Sequence, residues 1–236
     1  MKGREIQKLA PSFLPEYYAS FQFKGNIFLK YCGNGLLHGI EFQPSSYSKD
    51  IFYMNLFVQL LYDVNGYFAY DFSERVRDSQ NRQSWSRHEI DVEDLRESMI
   101  RWSKFHQDLD TLEKVSSAYA LESINPLNIV RVMPRALTRI MIGKPEGYKE
   151  LSAIVSSSDT TWRDFEVALH EKATKYLSLI TPTDYTRLRV VLDAEIQKGI
   201  ENLRLQKIID GPKVRPAKGG RQASARELPG AGLTKG

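Results

Sequence analysis

The chain has 236 residues, with 33 Lys and Arg against 29 Asp and Glu, 42% hydrophobic residues and 15 Gly, a usage that excludes collagen-like and broadly disordered classes. A folded chain of this length buries roughly 70 to 75% of the surface its unfolded form exposes, so it needs no disulfide or metal staple; the one cysteine, Cys32, has no intramolecular partner, which points to a reducing compartment. The net charge of +4 is unevenly placed, since residues 211–236 carry Lys213, Arg215, Lys218, Arg221, Arg226 and Lys235 against Glu227, or +5, which leaves −1 for residues 1–210.

Along the chain, a short helical or irregular lead carries Ile6, Leu9, Phe13 and Leu14. It shows no apolar run of signal-peptide length. Asn26 to Cys32 and Leu36 to Gln43 flank Gly33-Asn34-Gly35, and Asn-Gly between two such runs predicts a hairpin because both residues tolerate positive φ. A third strand is expected over Ile51 to Tyr62 and a weaker fourth around Gly66 to Phe72, which makes a β-meander. The run from Ile51 is the longest hydrophobic stretch, but Asn55 and Gln59 interrupt it and it is too short to span a bilayer, so a cytoplasmic protein with no membrane partner is expected.

Near Asp91 the apolar period changes from two to about 3.6. Val92, Leu95, Met99, Trp102, Phe105, Leu109 and Leu112 form one stripe, which predicts a single amphipathic helix from Val92 to roughly Ala120, capped by Asp91 and covering one sheet face. Pro134 and Gly143 bracket a further expected helix through Ile142. Two more are expected: one opening at Ser158-Asp159-Thr160 and running to Ile180, and one opening at Thr181-Pro182-Thr183-Asp184 with Thr181 as N-cap. The last 26 residues hold six glycines and three prolines and no aromatic residue, a composition that predicts disorder. The expected architecture is therefore α+β. An antiparallel β-meander covered by an amphipathic helix occupies residues 1–122, a helical extension 123–210 and a disordered basic tail 211–236.

The segment from Phe21 to Tyr62 contains FQFKGNIFLK, then GIEFQPSSYSK, then IFYMNLFV. These runs resemble the bacterial family known as domain of unknown function 4304, at Phe23, Lys24, Phe28, Phe42, Gln43, Ser45, Ser46, Phe52 and Asn55, with Trp85 fitting a tryptophan that begins the later helical part. The resemblance covers about the first half of the chain. It implies a bacterial origin and, by association, a place among immunity proteins or accessory parts of toxin and phage-defence systems.

Carriers of catalysis are scarce in the sequence. His38, His88, His106 and His170 show no metal-binding spacing, and the expectation is that each is structural or at the surface, with no metal and no cofactor. Cys32 has no nearby base or helix start to activate it. Walker, nucleophile-elbow and dinucleotide motifs do not occur, which leans against an enzyme. Asp63, Asp71 and Glu74 carry the remaining hydrolase alternative. For binding, Tyr47 lies in the polar loop after the second strand, and Tyr53, Phe57, Phe28 and Leu37 are expected on one aromatic-rich sheet face, covered by the C-terminal helices or by a partner. Arg131, Arg135 and Arg139 form a basic stripe one helical turn apart. The sequence thus favours a noncatalytic protein-interaction module that meets a larger protein, a toxin or defence-system subunit, through Tyr47, Tyr53, Arg131, Arg135 and Arg139. The main alternative is a nucleic-acid-binding accessory using the arginine stripe and weak contacts from the basic tail.

Overall fold

A computed structural model describes residues 3–63, 70–121, 128–157 and 163–210. It is α+β. Strands β1 (Gln22–Lys24), β2 (Ile27–Gly33), β3 (Leu36–Pro44), β4 (Ile51–Leu60) and β5 (Phe72–Arg75) pair in sequence order, each antiparallel to the next, and β6 (Trp85–Ser86) pairs with the first residues of β4. The expected meander is present. Gly33, Asn34 and Gly35 all take positive φ, as the hairpin between β2 and β3 requires. The third strand stops at Leu60 and turns into a short 3-10 segment, Leu61–Asp63. The fourth begins only at Phe72, and residues 64–69 lie outside the described residues.

Register fixes the two faces of the sheet. Phe28 stands opposite Ile40 and Ile40 opposite Leu56, whereas Leu29 stands opposite Gly39 and Gly39 opposite Phe57. Phe28 therefore lies on the other face from Phe57, Leu37 and Tyr53, and the four-residue aromatic face expected from the sequence does not exist. The sheet period of two assigns neighbours on one strand correctly but cannot carry the phase across a hairpin until the pairing is known.

The first face, with Phe28, Ile40, Phe42, Phe52, Met54 and Leu56, is covered by α1 (Gly3–Phe13) and α2 (Val92–Gln107). Asp91 caps α2 as expected, its Oδ1 accepting from the N–H groups of Glu93 and Asp94 at 3.0 and 3.1 Å. The apolar stripe is not one helix, however. It breaks after Gln107 and resumes as α3 (Leu112–Leu121). The Leu109 carbonyl accepts instead from His38 Nε2 at 3.0 Å, and Thr111 Oγ1 accepts from Lys114 N–H at the new helix start. Asp108, Asp110 and Thr111 offer the short polar side chains that favour such a break.

After α3 come α4 (Ile129–Met141), α5 (Pro145–Ser156), α6 (Asp164–Leu177), α7 (Thr186–Asn202) and α8 (Gln206–Ile209). Helix α4 starts five residues before Pro134 rather than at it. The proline removes one backbone donor, but the buried face of Val132, Met133, Ala136, Leu137 and Ile140 holds the helix together across the gap. Helix α5 has no counterpart among the sequence expectations; Pro145 stands at its start, and Gly147 lets it approach the Ala136 carbonyl of α4, which a Cβ would meet at 2.7 Å. Thr181 to Asp184 form a turn closed by a one-pair bridge, and α7 begins only at Thr186. Thr181 Oγ1 accepts from Asp184 N–H at 3.1 Å, a cap-like bond in a turn that does not continue into a helix. The expected opening of α6 at Ser158 and the basic tail both lie outside the described residues.

Helices α3 to α7 pack with the hairpin end of the sheet, so Leu29, Leu37, Phe57 and Leu60 share a hydrophobic core with Val115, Leu137, Leu188 and Ile196. Gly199 in α7 lies against the Leu61 carbonyl and Gly35 against Ile196.

Candidate functional site

On the face bearing Leu37 and Phe57, coverage fades along the strands. Leu29, Leu37 and Phe57 are fully buried, with Phe57 seated over Gly39 on the neighbouring strand. Two residues further on, Glu41, Asn55 and Arg75 are half-buried, and beyond them Gln43 is exposed and Tyr53 half-buried. Gln22 and Lys24 on the edge strand reach the Ile208 and Leu203 carbonyls of the C-terminal segment.

The open half carries an ordered polar and aromatic surface. Asn55 donates from Nδ2 to Glu41 Oε2 and Gln43 Oε1, both at 3.2 Å, and its Oδ1 accepts from Arg75 Nε at 3.3 Å. The Arg75 guanidinium lies 4.5 Å from the centre of the Tyr53 ring, a cation–π contact. Tyr70 stacks on Phe57 with ring centres 4.1 Å apart, and burial, with the charge of Glu41 beside it, pushes its hydroxyl above the ordinary tyrosine range. At the end of the same strands, Tyr47 stands 95% exposed on the turn joining β3 to β4. The turn is set by Ser45 and Ser48, whose hydroxyls accept from the N–H groups of Tyr47 and Asp50 at 3.2 Å.

The structure thus brings Tyr47 and Tyr53 to one end of the sheet, and the arginines elsewhere. Arg131, on α4, donates to the Asp71 carbonyl at 2.7 Å and lies over the Phe72 ring. Arg135 and Arg139 both pair with Glu150 of α5, Arg135 at 2.7 Å, and all three side chains are only 15% exposed. Burial lifts the Glu150 carboxyl above its ordinary range even though both guanidiniums pull it down. Sequence spacing predicts that these arginines share a helix face; it cannot show that an acid from a helix it did not anticipate lies against them. Arg75 and Tyr70 were missed for the same kind of reason, because only the tertiary structure aligns Arg75 with Asn55 by strand pairing and lays Tyr70 on Phe57.

Of the remaining candidate groups, His38, His106 and Asp71 are held by structural bonds. His38 and His106 stack face to face, ring centres 4.7 Å apart, wholly buried beneath the junction of α2 and α3. Each donates from Nε2 to a carbonyl, Leu109 and Phe57 respectively, at 3.0 Å. Burial pulls His38 down to about 4; burial and then repulsion from His38 pull His106 to about 3. Both rings are neutral at physiological pH. Burial also pushes the Cys32 thiol up to about 11, which leaves little thiolate for nucleophilic chemistry. Asp71 accepts from Leu60 N–H at 2.7 Å and from Tyr119 Oη at 3.3 Å, while Glu74 is exposed on the edge strand and the side chain of Asp63 lies outside the described residues. Among the described residues no group of three or more His, Cys, Asp or Glu side chains is placed to hold a metal ion.

Comparison with known proteins finds no matching family model, no similar curated protein and no similar solved structure. Among the described residues, no helix is long and apolar enough to cross a membrane.

Proposed function

We propose that this chain is a noncatalytic protein-interaction module that binds a larger protein through Tyr47 and the open half of its sheet. The observation that carries the reading is the 95% exposure of Tyr47 beside the Tyr53–Arg75 pair. Tyrosine and arginine are the residue types that concentrate binding energy at protein interfaces, and the Tyr53 ring, already held against Arg75, loses little entropy on docking. The mutual pairing of Arg135 and Arg139 with Glu150 places less weight on the arginine stripe than on this surface. A cytoplasmic location belongs to the same proposal, and the resemblance to domain of unknown function 4304 directs the search to a bacterial toxin or defence-system subunit as partner.

The test is affinity purification of the full chain from its native host, followed by the Tyr47→Ala and Tyr53→Ala variants. One stoichiometric protein partner is expected, retained by the parent chain and lost with either substitution. A monomer that retains no partner overturns the reading. Retention of nucleic acid instead, with an affinity that falls steeply with salt and weakens on deleting residues 211–236, identifies the nucleic-acid alternative.

A further inference from the structure

On the opposite face of the sheet, a half-open cavity of about 210 Å³ lies between α1, the beginning of β4 and the first turn of α2. Phe13, Phe52 and Leu95 are buried against it, and Leu9 and Val92, 39% and 38% exposed, stand at its mouth. Arg87, with Ser12 and His88, breaks this apolar lining. Arg87 lines the cavity with its Nε buried and without a hydrogen-bond acceptor among the described residues. Its backbone is anchored by an N–H donated to the Asp50 carbonyl at 2.8 Å. The neighbouring His88, also at the rim, is already paired with Asp50 at 3.0 Å, so the uncommitted donor is that of Arg87.

We propose that this cavity binds a small apolar monocarboxylate, with the hydrocarbon body against Phe13, Phe52 and Leu95 and the carboxylate accepting from the Arg87 guanidinium. The terminal guanidinium nitrogens of Arg87, which are not withdrawn from solvent as Nε is, are the donors a ligand in the cavity reaches, and a carboxylate is their best-matched acceptor. A mostly apolar pocket with a few well-placed polar groups is the usual design of a small-ligand site. The volume falls below that of drug-sized sites, which restricts the ligand to a short or medium chain. The site is separate from the Tyr47 surface and its assignment is independent of the protein-interaction reading.

Calorimetric titration of the full chain with octanoate, octanol and octylammonium isolates the head group, since the hydrocarbon tail is shared. Saturable octanoate binding is expected, about tenfold or more tighter than octanol, with no binding of octylammonium. Arg87→Gln should bring octanoate down to the level of octanol while leaving octanol unchanged. Leu9→Trp, at the exposed mouth, should block both ligands without touching Arg87. Equal affinity for octanoate and octanol in the parent chain, failure of octanoate to saturate, or full octanoate affinity in Arg87→Gln each overturns the assignment.

Discussion

Glu150 is the side chain on which the helical half of the molecule is most exposed to a single change. It compensates two guanidiniums that are mostly withdrawn from water. Removing one partner of such a cluster leaves charge buried and uncompensated, which costs far more than the intact cluster contributes. Glu150→Gln should therefore destabilise the fold by about 3 kcal/mol, read as a lower urea midpoint, whereas a loss within error would show that water reaches both arginines. Gly39 is the corresponding position in the sheet. A Cβ there runs into the Phe57 ring, which is held from the other side by Tyr70. Gly39→Ala should cost about 2 kcal/mol through overpacking, with the loss measured by chemical denaturation and accompanied by a change in tyrosine near-ultraviolet dichroism.

At the scale of elements, the start of α2 follows from its own sequence and its end does not. Asp91 supplies two capping bonds, so Asp91→Ala should cost about 1 kcal/mol and Asp91→Asn nearly nothing, as thermal unfolding of the two variants will show. The end of α2 depends on His38, a residue far away in sequence that takes the Leu109 carbonyl out of the helical ladder. The same division holds in α7. Its stripe of Leu188, Leu192, Ile196 and Ile200 is buried as the period of three and four predicts, yet its start is displaced because Thr181 to Asp184 satisfy their own hydrogen bonds in a turn. Interior periodicity is legible because burial acts on many residues at once. Boundaries rest on one or two bonds, which a tertiary partner can redirect.

For the whole molecule, the stacked imidazoles at the junction of sheet and helices set the response to acid. Both are neutral in the folded state because burial disfavours their charged forms, whereas in the unfolded chain they protonate near the ordinary value of 6.5. The unfolded state then binds more protons than the folded one below that pH, so stability is fully present above about 6.5 and is lost as pH falls towards about 4. Tyr18 and Phe21 pack on His106, and Lys30 and Asp110 supply the charges around His38. Urea midpoints measured from neutral pH downward should fall through this window, and a His38→Asn variant should show a shallower fall; an unchanged slope would assign the acid sensitivity to carboxylates instead.

The sequence by itself determined the α+β class, the meander and its hairpin, the Asp91 cap and the place of Tyr47 in a polar loop after the second strand. Each depends on local propensity or on a periodicity repeated over many residues. Only the tertiary structure decided which strand residues share a face, where the long stripe breaks, and that Arg135 and Arg139 meet Glu150 while Arg75 meets Tyr53. These are pairings between residues distant in the chain, and a one-residue change of register would reverse every one of them in the sheet. Candidate side chains can be named from the sequence, but the surface they form exists only once the strands are aligned.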